Sequence, residues 1–463
     1  MHNIVGAKNI QNRLIKKILY LITFFMTAGY ICYYIFISAG QVPLMDYWLN
    51  SKEYLEMVMT QSFQWNRIFI FPHALHWNPL YTICDYFLIH IFRCDNRAYV
   101  YGGMMFSYAI FTLMLMIYRK HFEPDNLIAT FIGIVLFVMP FINLNQWEIF
   151  TLYCNLQFMM RIFTYLVLMY FLDRLLYNYG RYRKGMLFIC VFSIANLFTI
   201  FMMSQAYFPG LIAAEIAVIL IDMIIYRKKE KKYIYIGTLL SSVIGFLFYY
   251  ATLQKIEIGI RKDIGFFDRM MNYSKGLIIM LGGVLVPQTV AQENIRINYI
   301  MGSIILVLAI MAVFMFFKMK IYNETYFPLL CMIYAFVSII VIMLGRMSYG
   351  LEYLTSSRYV VETTVGLSGL IQIYWWCFLK KRKVNRVVHS VVLFSMLIAI
   401  GYVNKTEMKI GPYRKAYNQN MVDLALGIDN VSDEELQIFQ APPEDVRGGI
   451  EVMKKYHLCL WRD

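Results

Sequence analysis

The chain has 463 residues, 60% of them hydrophobic and only 16% charged, with a formal net charge of +14. This composition excludes a soluble globular domain and excludes disorder. Lys and Arg gather in short segments between apolar runs, so the excess charge reads as the topological bias of a membrane protein and not as a nucleic-acid footprint.

Apolar runs of about 20 residues recur from end to end, each long enough to cross the hydrocarbon core as a helix. Alternating ten-residue strands are absent, so the expected fold is all-α, a polytopic membrane helical bundle. The first span, 18–39, follows a basic preamble of Lys8, Arg13, Lys16 and Lys17. It is too long and too aromatic for a cleavable signal and is expected to remain as an anchor.

Directly behind it comes the polar, aromatic segment 41–97, with Met45-Asp46-Tyr47-Trp48, Trp65-Asn66-Arg67, His73 and His76-Trp77-Asn78-Pro79. A chain that only crossed the bilayer would use a short turn here. Asp46 beside two aromatics suits a general base, or the cap of a helix from Tyr47 onward. His73 and His76 are spaced i, i+3, which alone is a weak metal signal; His76 suits a lipid phosphate or a sugar hydroxyl better.

Further spans are expected at 98–118, 127–145, 158–177, 185–203, 206–226, 233–253, 299–317, 326–345, 359–379 and 387–403, giving eleven. The apolar stretch 275–291 is broken by Gly282, Gly283 and Pro287, so it is expected to be re-entrant or interfacial. With that count the basic clusters at Arg119-Lys120, Arg181 to Lys184, Arg227 to Lys232, Lys318 with Lys320, and Lys380 to Arg386 all fall on the face of the N-terminus. The expected topology is therefore N-terminus inside and C-terminus outside, with 1–403 forming the transmembrane domain. The segments 41–97 and 254–298 and the loop 346–358 then lie outside, and 404–463 is a small extracytoplasmic tail.

Between the third and fourth spans, Gln146-Trp147-Glu148 and Gln157 form a second polar group. Amides and an acid beside aromatics suit sugar hydroxyls; they equally suit a helix start with Asn145 as N-cap and Glu148 at N3. Arg346 and Arg358 bracket a short loop and together suit a phosphate, although Arg358 also stands one turn before Glu362 and has a local ion-pair partner there. Arg161, Glu215 and Asp222 lie in or near spans, where charge is costly and function or internal pairing is the default. The eight cysteines are scattered without a CxxC motif; Cys84 and Cys94 share one outer segment and could pair, but free thiols are the expected state.

These pieces resemble the GT-C superfamily of membrane glycosyltransferases, and more closely the bacterial and phage O-antigen glucosyltransferases. The resemblance rests on Asp46-Tyr47-Trp48 in a long first outer loop and on His76-Trp77-Asn78-Pro79-Leu80 running to Asp85. It rests also on Gln146-Trp147-Glu148 to Gln157-Phe158, and on Gly345-Arg346, Gly350 and Ser357-Arg358-Tyr359. Around His76 the chain departs from the acid–His–Arg cluster of that pattern, reading Ala74-Leu75-His76-Trp77.

The resemblance implies transfer of a hexose from a polyprenyl-phosphate-linked donor to a surface glycan such as O-antigen, on the outer face of a bacterial inner membrane and with inversion. Asp46 would be the base. Arg346, Arg358 and His76 would hold the donor phosphate. Trp48, Trp65, Trp77, Gln146, Glu148, Gln157 and Tyr359 would contact sugar or acceptor. The partners implied are the lipid-linked donor, the glycan acceptor and the bilayer, with no nucleic acid. No cofactor motif is visible, and nothing in the sequence supports a divalent metal. The competing expectations are an O-antigen polymerase or ligase, a lipid-linked glycan flippase or transporter, and a structural membrane protein.

Overall fold

The computed structural model describes residues 2–60, 78–178, 185–203, 208–226, 231–252, 266–380 and 383–462. Among these the regular structure is entirely helical. Long apolar runs leave backbone groups no better partner in lipid than their own helix. In chain order the helices are α1 (His2–Ser38), α2 (Ser51–Met59), α3 (Pro79–Phe92), α4 (Asn96–His121), α5 (Leu127–Val138), α6 (Trp147–Thr151) and α7 (Cys154–Asn178). Then follow α8 (Gly185–Met202), α9 (Phe208–Tyr226), α10 (Lys232–Thr252), α11 (Phe266–Gly282), α12 (Gln288–Glu293) and α13 (Ile295–Lys318). The last are α14 (Phe327–Arg346), α15 (Val360–Lys380), α16 (Lys383–Leu426), α17 (Asp433–Leu436) and α18 (Pro443–Lys455).

Among the described residues eight helical stretches are long and apolar enough to cross a membrane, which makes this a multi-pass membrane protein. Three of the spans expected from sequence are not among these eight. Two of them fall on α8 and α10, apolar helices of 18 and 21 residues. The third, α15, has the length but carries Glu362, Thr363, Thr364, Ser368 and Gln372, all buried. It is sheathed by other helices, so its surroundings are protein and it tolerates polar residues that a lipid-facing helix would not.

One end of the bundle collects basic residues. Lys16 pairs with Glu123 at 2.9 Å and donates to the Pro124 carbonyl at 2.7 Å, which joins the start of α1 to the α4–α5 turn. Trp375 donates to the Phe122 carbonyl at 3.1 Å, bringing the end of α15 there too. Lys231 pairs with Asp222 at 2.9 Å, and Tyr226 reaches Asn323 at the α13–α14 turn. These contacts tie Lys16 to the α4–α5 turn and Lys231 to the end of α9.

At the opposite end the stretch 275–291 breaks where the glycines predict. Helix α11 stops at Gly282 and the chain turns through 283–287 into α12. Gly302 lets α13 close on this turn: a Cβ there would lie 1.9 Å from the Ile278 carbonyl oxygen. Asn143 and Asn145 then pin the turn by donating to the carbonyls of Val284 (2.6 Å) and Val286 (2.7 Å).

The bundle's main core is joined by a second hydrophobic cluster built from distant parts of the chain. It unites Val42, Tyr47, Trp48, Tyr54 and Leu55 with Tyr81 and Ile89 of α3, and with Ile428, Leu436, Phe439, Val446, Ile450 and Cys459 near the C-terminus. This cap carries a buried carboxylate, Asp85, that accepts from the Tyr99 hydroxyl. Helix α16 does not end at residue 403. It continues to Leu426 because its polar residues find partners at helical spacing: Asn404 accepts from the Leu144 N–H at 2.8 Å, Arg414 pairs with Glu407 at 2.7 Å, and Asn418 donates to the Ser38 carbonyl at 2.9 Å.

Candidate functional site

After α1 the chain passes Gly40, where any Cβ would meet Asn418 at 2.5 Å, and makes a single 3-10 turn over Met45–Trp48. Met45 enters that turn with φ of 60°. The turn sends Tyr47 and Trp48 into the cap core and leaves Asp46 half-buried, on the side of Tyr153 and Arg358. Asp46 is within the segment's first turn and caps no helix, since Leu44 occupies that position.

Arg358 stands just before α15 and is held from three sides. Its Nε donates to the Ser356 hydroxyl at 3.1 Å, its Nη2 to the Tyr353 hydroxyl at 3.4 Å, and its Nε lies 3.7 Å from the Glu148 carboxylate. The same Glu148 oxygen accepts from the Ser356 hydroxyl at 2.9 Å and from the Arg358 backbone N–H at 3.0 Å. The Ser357 hydroxyl closes the ring by accepting from the Glu148 N–H at 3.1 Å. Burial opposes the Arg358 charge, but Glu148, the Tyr359 and Tyr353 phenols and Asp46 outweigh it and raise the guanidinium above its ordinary range. Burial, followed by Asp46, likewise drives the Tyr153 phenol well up, so it is a neutral hydroxyl at working pH. Asp46 and Arg358, separated by most of the chain, are thus electrostatic neighbours.

The local pairing expected for Arg358 is replaced by a longer-range one. Glu362 faces inward and bonds to Arg161 and to the Tyr334 hydroxyl, all three buried. The expected capping box is also absent. Asn143 caps the turn before α6 by accepting from the Asn145 N–H at 3.0 Å, α6 begins at Trp147, and the Glu148 carboxylate is freed to reach the 356–358 segment.

Arg346 lies with its guanidinium 5.8 Å from the Tyr349 ring centre; Tyr349 and Tyr353 pack at 5.1 Å, and Arg358 lies 5.8 Å from Tyr353 on the far side. Each arginine thus lies against one member of a tyrosine pair. Tyr359 is buried beneath Arg358, with the guanidinium 5.9 Å from its ring centre. Gln157 is half-buried on α7, one turn beyond Tyr153.

Like Glu148 and Tyr359, two further expected sugar contacts are enclosed. Trp48 is fully buried, donates to the Pro43 carbonyl at 3.0 Å and packs edge-on against Phe439 at 5.6 Å, so neither of its faces is open to a ligand. Gln146 is buried against the bundle and donates to the Phe141 carbonyl at 3.2 Å. His73, His76, Trp65 and Trp77 lie outside the described residues.

The charges expected within spans are internally paired. Besides Arg161 with Glu362, Glu215 accepts from Asn196 at 2.8 Å and from Ser242 at 2.9 Å, and Asp222 holds Lys231. The described residues contain no group of three metal-ligating side chains. All eight cysteines are free thiols in this structure, Cys84 and Cys94 among them.

Sequence reasoning missed Ser356, Tyr353 and Tyr153 as members of the site. Ser356 lies beside a quoted motif and was accessible to inspection; Tyr153 is one of 37 tyrosines and carries no local signal. It missed Arg414 as well, which stacks 3.5 Å over the Trp147 ring and braces α6 from the α16 side.

Below the site lies an apolar groove between α13, α14 and α15, lined by Leu281, Val284, Ile305, Met332, Ile339 and Gly366 among others. On α15 its wall runs from Thr363 to Leu370. At about 1.5 Å per residue, that wall covers the depth from ~7 to ~18 Å beyond Arg358. The site thus offers a half-exposed carboxylate and a fixed guanidinium, with an apolar groove further along α15. Comparison with protein-family models, with curated proteins and with solved structures finds no match for this chain.

Proposed function

We propose that the protein is a glycosyltransferase that moves a sugar from a polyprenyl-phosphate-linked donor to a glycan acceptor at a bacterial inner membrane, with its site on the outer face. The observation that carries this reading is the convergence of Asp46 and Arg358 above an apolar groove. A lipid phosphate needs a cation at the headgroup and an apolar path for its chain, and a transfer needs a carboxylate beside them.

In this reading Asp46 takes the proton of the acceptor hydroxyl as its oxygen attacks the anomeric carbon. The sugar–phosphate bond breaks and the leaving polyprenyl phosphate is stabilised by Arg358, whose Nη1 makes no hydrogen bond among the described residues. One displacement with one base inverts the anomeric centre. Glu148 and Ser356 hold the guanidinium in place before the donor arrives, and Arg346 adds positive potential at the mouth. A polymerase, a ligase or a flippase would also need a lipid-phosphate site, but a flippase breaks no bond and needs no base.

The test is binding of polyprenyl phosphate to the purified protein by native mass spectrometry. The wild type retains the lipid and Arg358→Ala loses it about 10-fold or more, the worth of one charge-assisted hydrogen bond. Equal retention by both proteins would refute the phosphate assignment.

A further inference from the structure

Cys94 and Cys459 lie at opposite ends of the chain in sequence and at one point in the fold. Cys94 follows the left-handed Arg93 that ends α3, and Cys459 opens the last 3-10 turn. The Cys459 N–H donates to the Arg93 carbonyl at 2.5 Å. Standard bond lengths on either side of that hydrogen bond limit the separation of the Cys94 and Cys459 Cα atoms to about 6.8 Å. Disulfides bridge Cα atoms roughly 4.4–6.8 Å apart. Both residues have positive φ, 62° and 52°, and both are free thiols here, Cys459 on the Gln41 carbonyl and Cys94 on the Tyr47 hydroxyl.

The surroundings hold the two together independently of the sulfurs. Gln41 accepts at its carbonyl from the Asn96 N–H at 3.0 Å and from the Cys459 thiol at 3.7 Å. Asp95, next to Cys94, receives Arg97 at 2.6 Å and Arg462, three residues beyond Cys459, at 3.0 Å. No other described cysteine shares this corner: Cys84 lies one helix face away on α3, half-buried.

We propose that Cys94 and Cys459 form a disulfide that clasps the C-terminal segment to the start of α4 and so locks the cap beside the Asp46 site. This goes beyond the transferase reading and does not depend on it. The oxidant is an external disulfide, such as a thiol–disulfide oxidoreductase or oxidised glutathione. The thiolate of one cysteine attacks it, forming a mixed disulfide and releasing one thiol. The second cysteine then attacks the mixed disulfide and releases the other thiol, so that the pair loses two electrons and two protons and the oxidant becomes two thiols. In the closed cap both thiols are buried, and burial pushes the Cys459 thiol up to about 12 and the Cys94 thiol well up, which makes them poor nucleophiles. The bond therefore forms while the tail is still docking.

The test uses the full-length protein, unfolded and refolded in detergent with oxidised glutathione, trapped with N-ethylmaleimide and digested. The proposal predicts a peptide linking Cys94 to Cys459 and six alkylated cysteines out of eight. Cys84→Ser keeps the link, whereas Cys94→Ser and Cys459→Ser each remove it. Eight alkylated cysteines, or a link between Cys84 and Cys94, would overturn it. Should the single variants fail to fold, the linked peptide in the wild type decides the matter alone.

Discussion

Replacing Trp48 by Ala removes the central side chain of the cap. Trp48 is fully buried, packs against Tyr47 and Phe439, and sits under Gly449, where an added Cβ would approach the indole to 2.9 Å. Truncating a buried Trp costs about 3–5 kcal/mol. The Pro43 carbonyl also loses its donor, for about 1 kcal/mol more. The cap should therefore open more often by roughly 10³–10⁴-fold, at about 1.4 kcal/mol per decade, unless it undocks altogether.

Two buried thiols report that opening. In protein kept reduced, Cys94 and Cys459 are enclosed and should react with maleimide only when the cap opens. Their alkylation rate, read by mass spectrometry after timed quenching, should rise by at least a hundredfold in Trp48→Ala and much less in Trp48→Phe. Cys32 on α1 and Cys190 on α8, away from the cap, should label at the same rate in all three proteins. An unchanged rate at Cys94 and Cys459 in Trp48→Ala would show that Trp48 is not the cap's anchor and would return it to the list of ligand contacts.

Three further outcomes follow from the same geometry. Arg161→Ala leaves the Glu362 carboxylate buried without its cation, so about 3–5 kcal/mol should be lost and the folded yield in fluorescence-detected size-exclusion should fall; Arg161→Met with Glu362→Leu should recover much of it. Gly302→Ala drives a Cβ into the Ile278 carbonyl and should lower the melting temperature, while Gly345→Ala, which meets nothing within 4 Å, should not. Glu148→Ala removes the acceptor that fixes Ser356 and Arg358, so donor-lipid binding should weaken about 10-fold while Glu148→Gln, which keeps two acceptor positions, loses less.

Much of the fold was legible because apolar runs and glycine breaks are local signals: the long helices and the turn at 282–287 lie where hydropathy and Gly282 put them. What failed was partner choice. Glu362 stands one turn from Arg358 and also faces Arg161 across the bundle, and only packing decides between them. The length of α16 was hidden because Asn404, Glu407, Arg414 and Asn418 look like a polar tail until their partners on 34–40 and 144–147 are in place. Trp48 looked like a sugar platform because the sequence does not show that the C-terminal segment covers it. Asp46, Glu148 and Arg358 were each singled out from sequence, but their convergence depends on three turns whose meeting no local pattern encodes.

The most direct test of the account measures release of polyprenyl phosphate from a polyprenyl-phosphate-linked hexose by the purified protein supplied with glycan acceptor. Wild-type protein should release it with inversion of the sugar. Asp46→Asn, matched for folding by size-exclusion and for donor binding, should release it at least 100-fold more slowly, the scale of a missing general base. Release by Asp46→Asn at a rate near that of the wild type would contradict the account, as would tight donor binding by the wild type with no release at all.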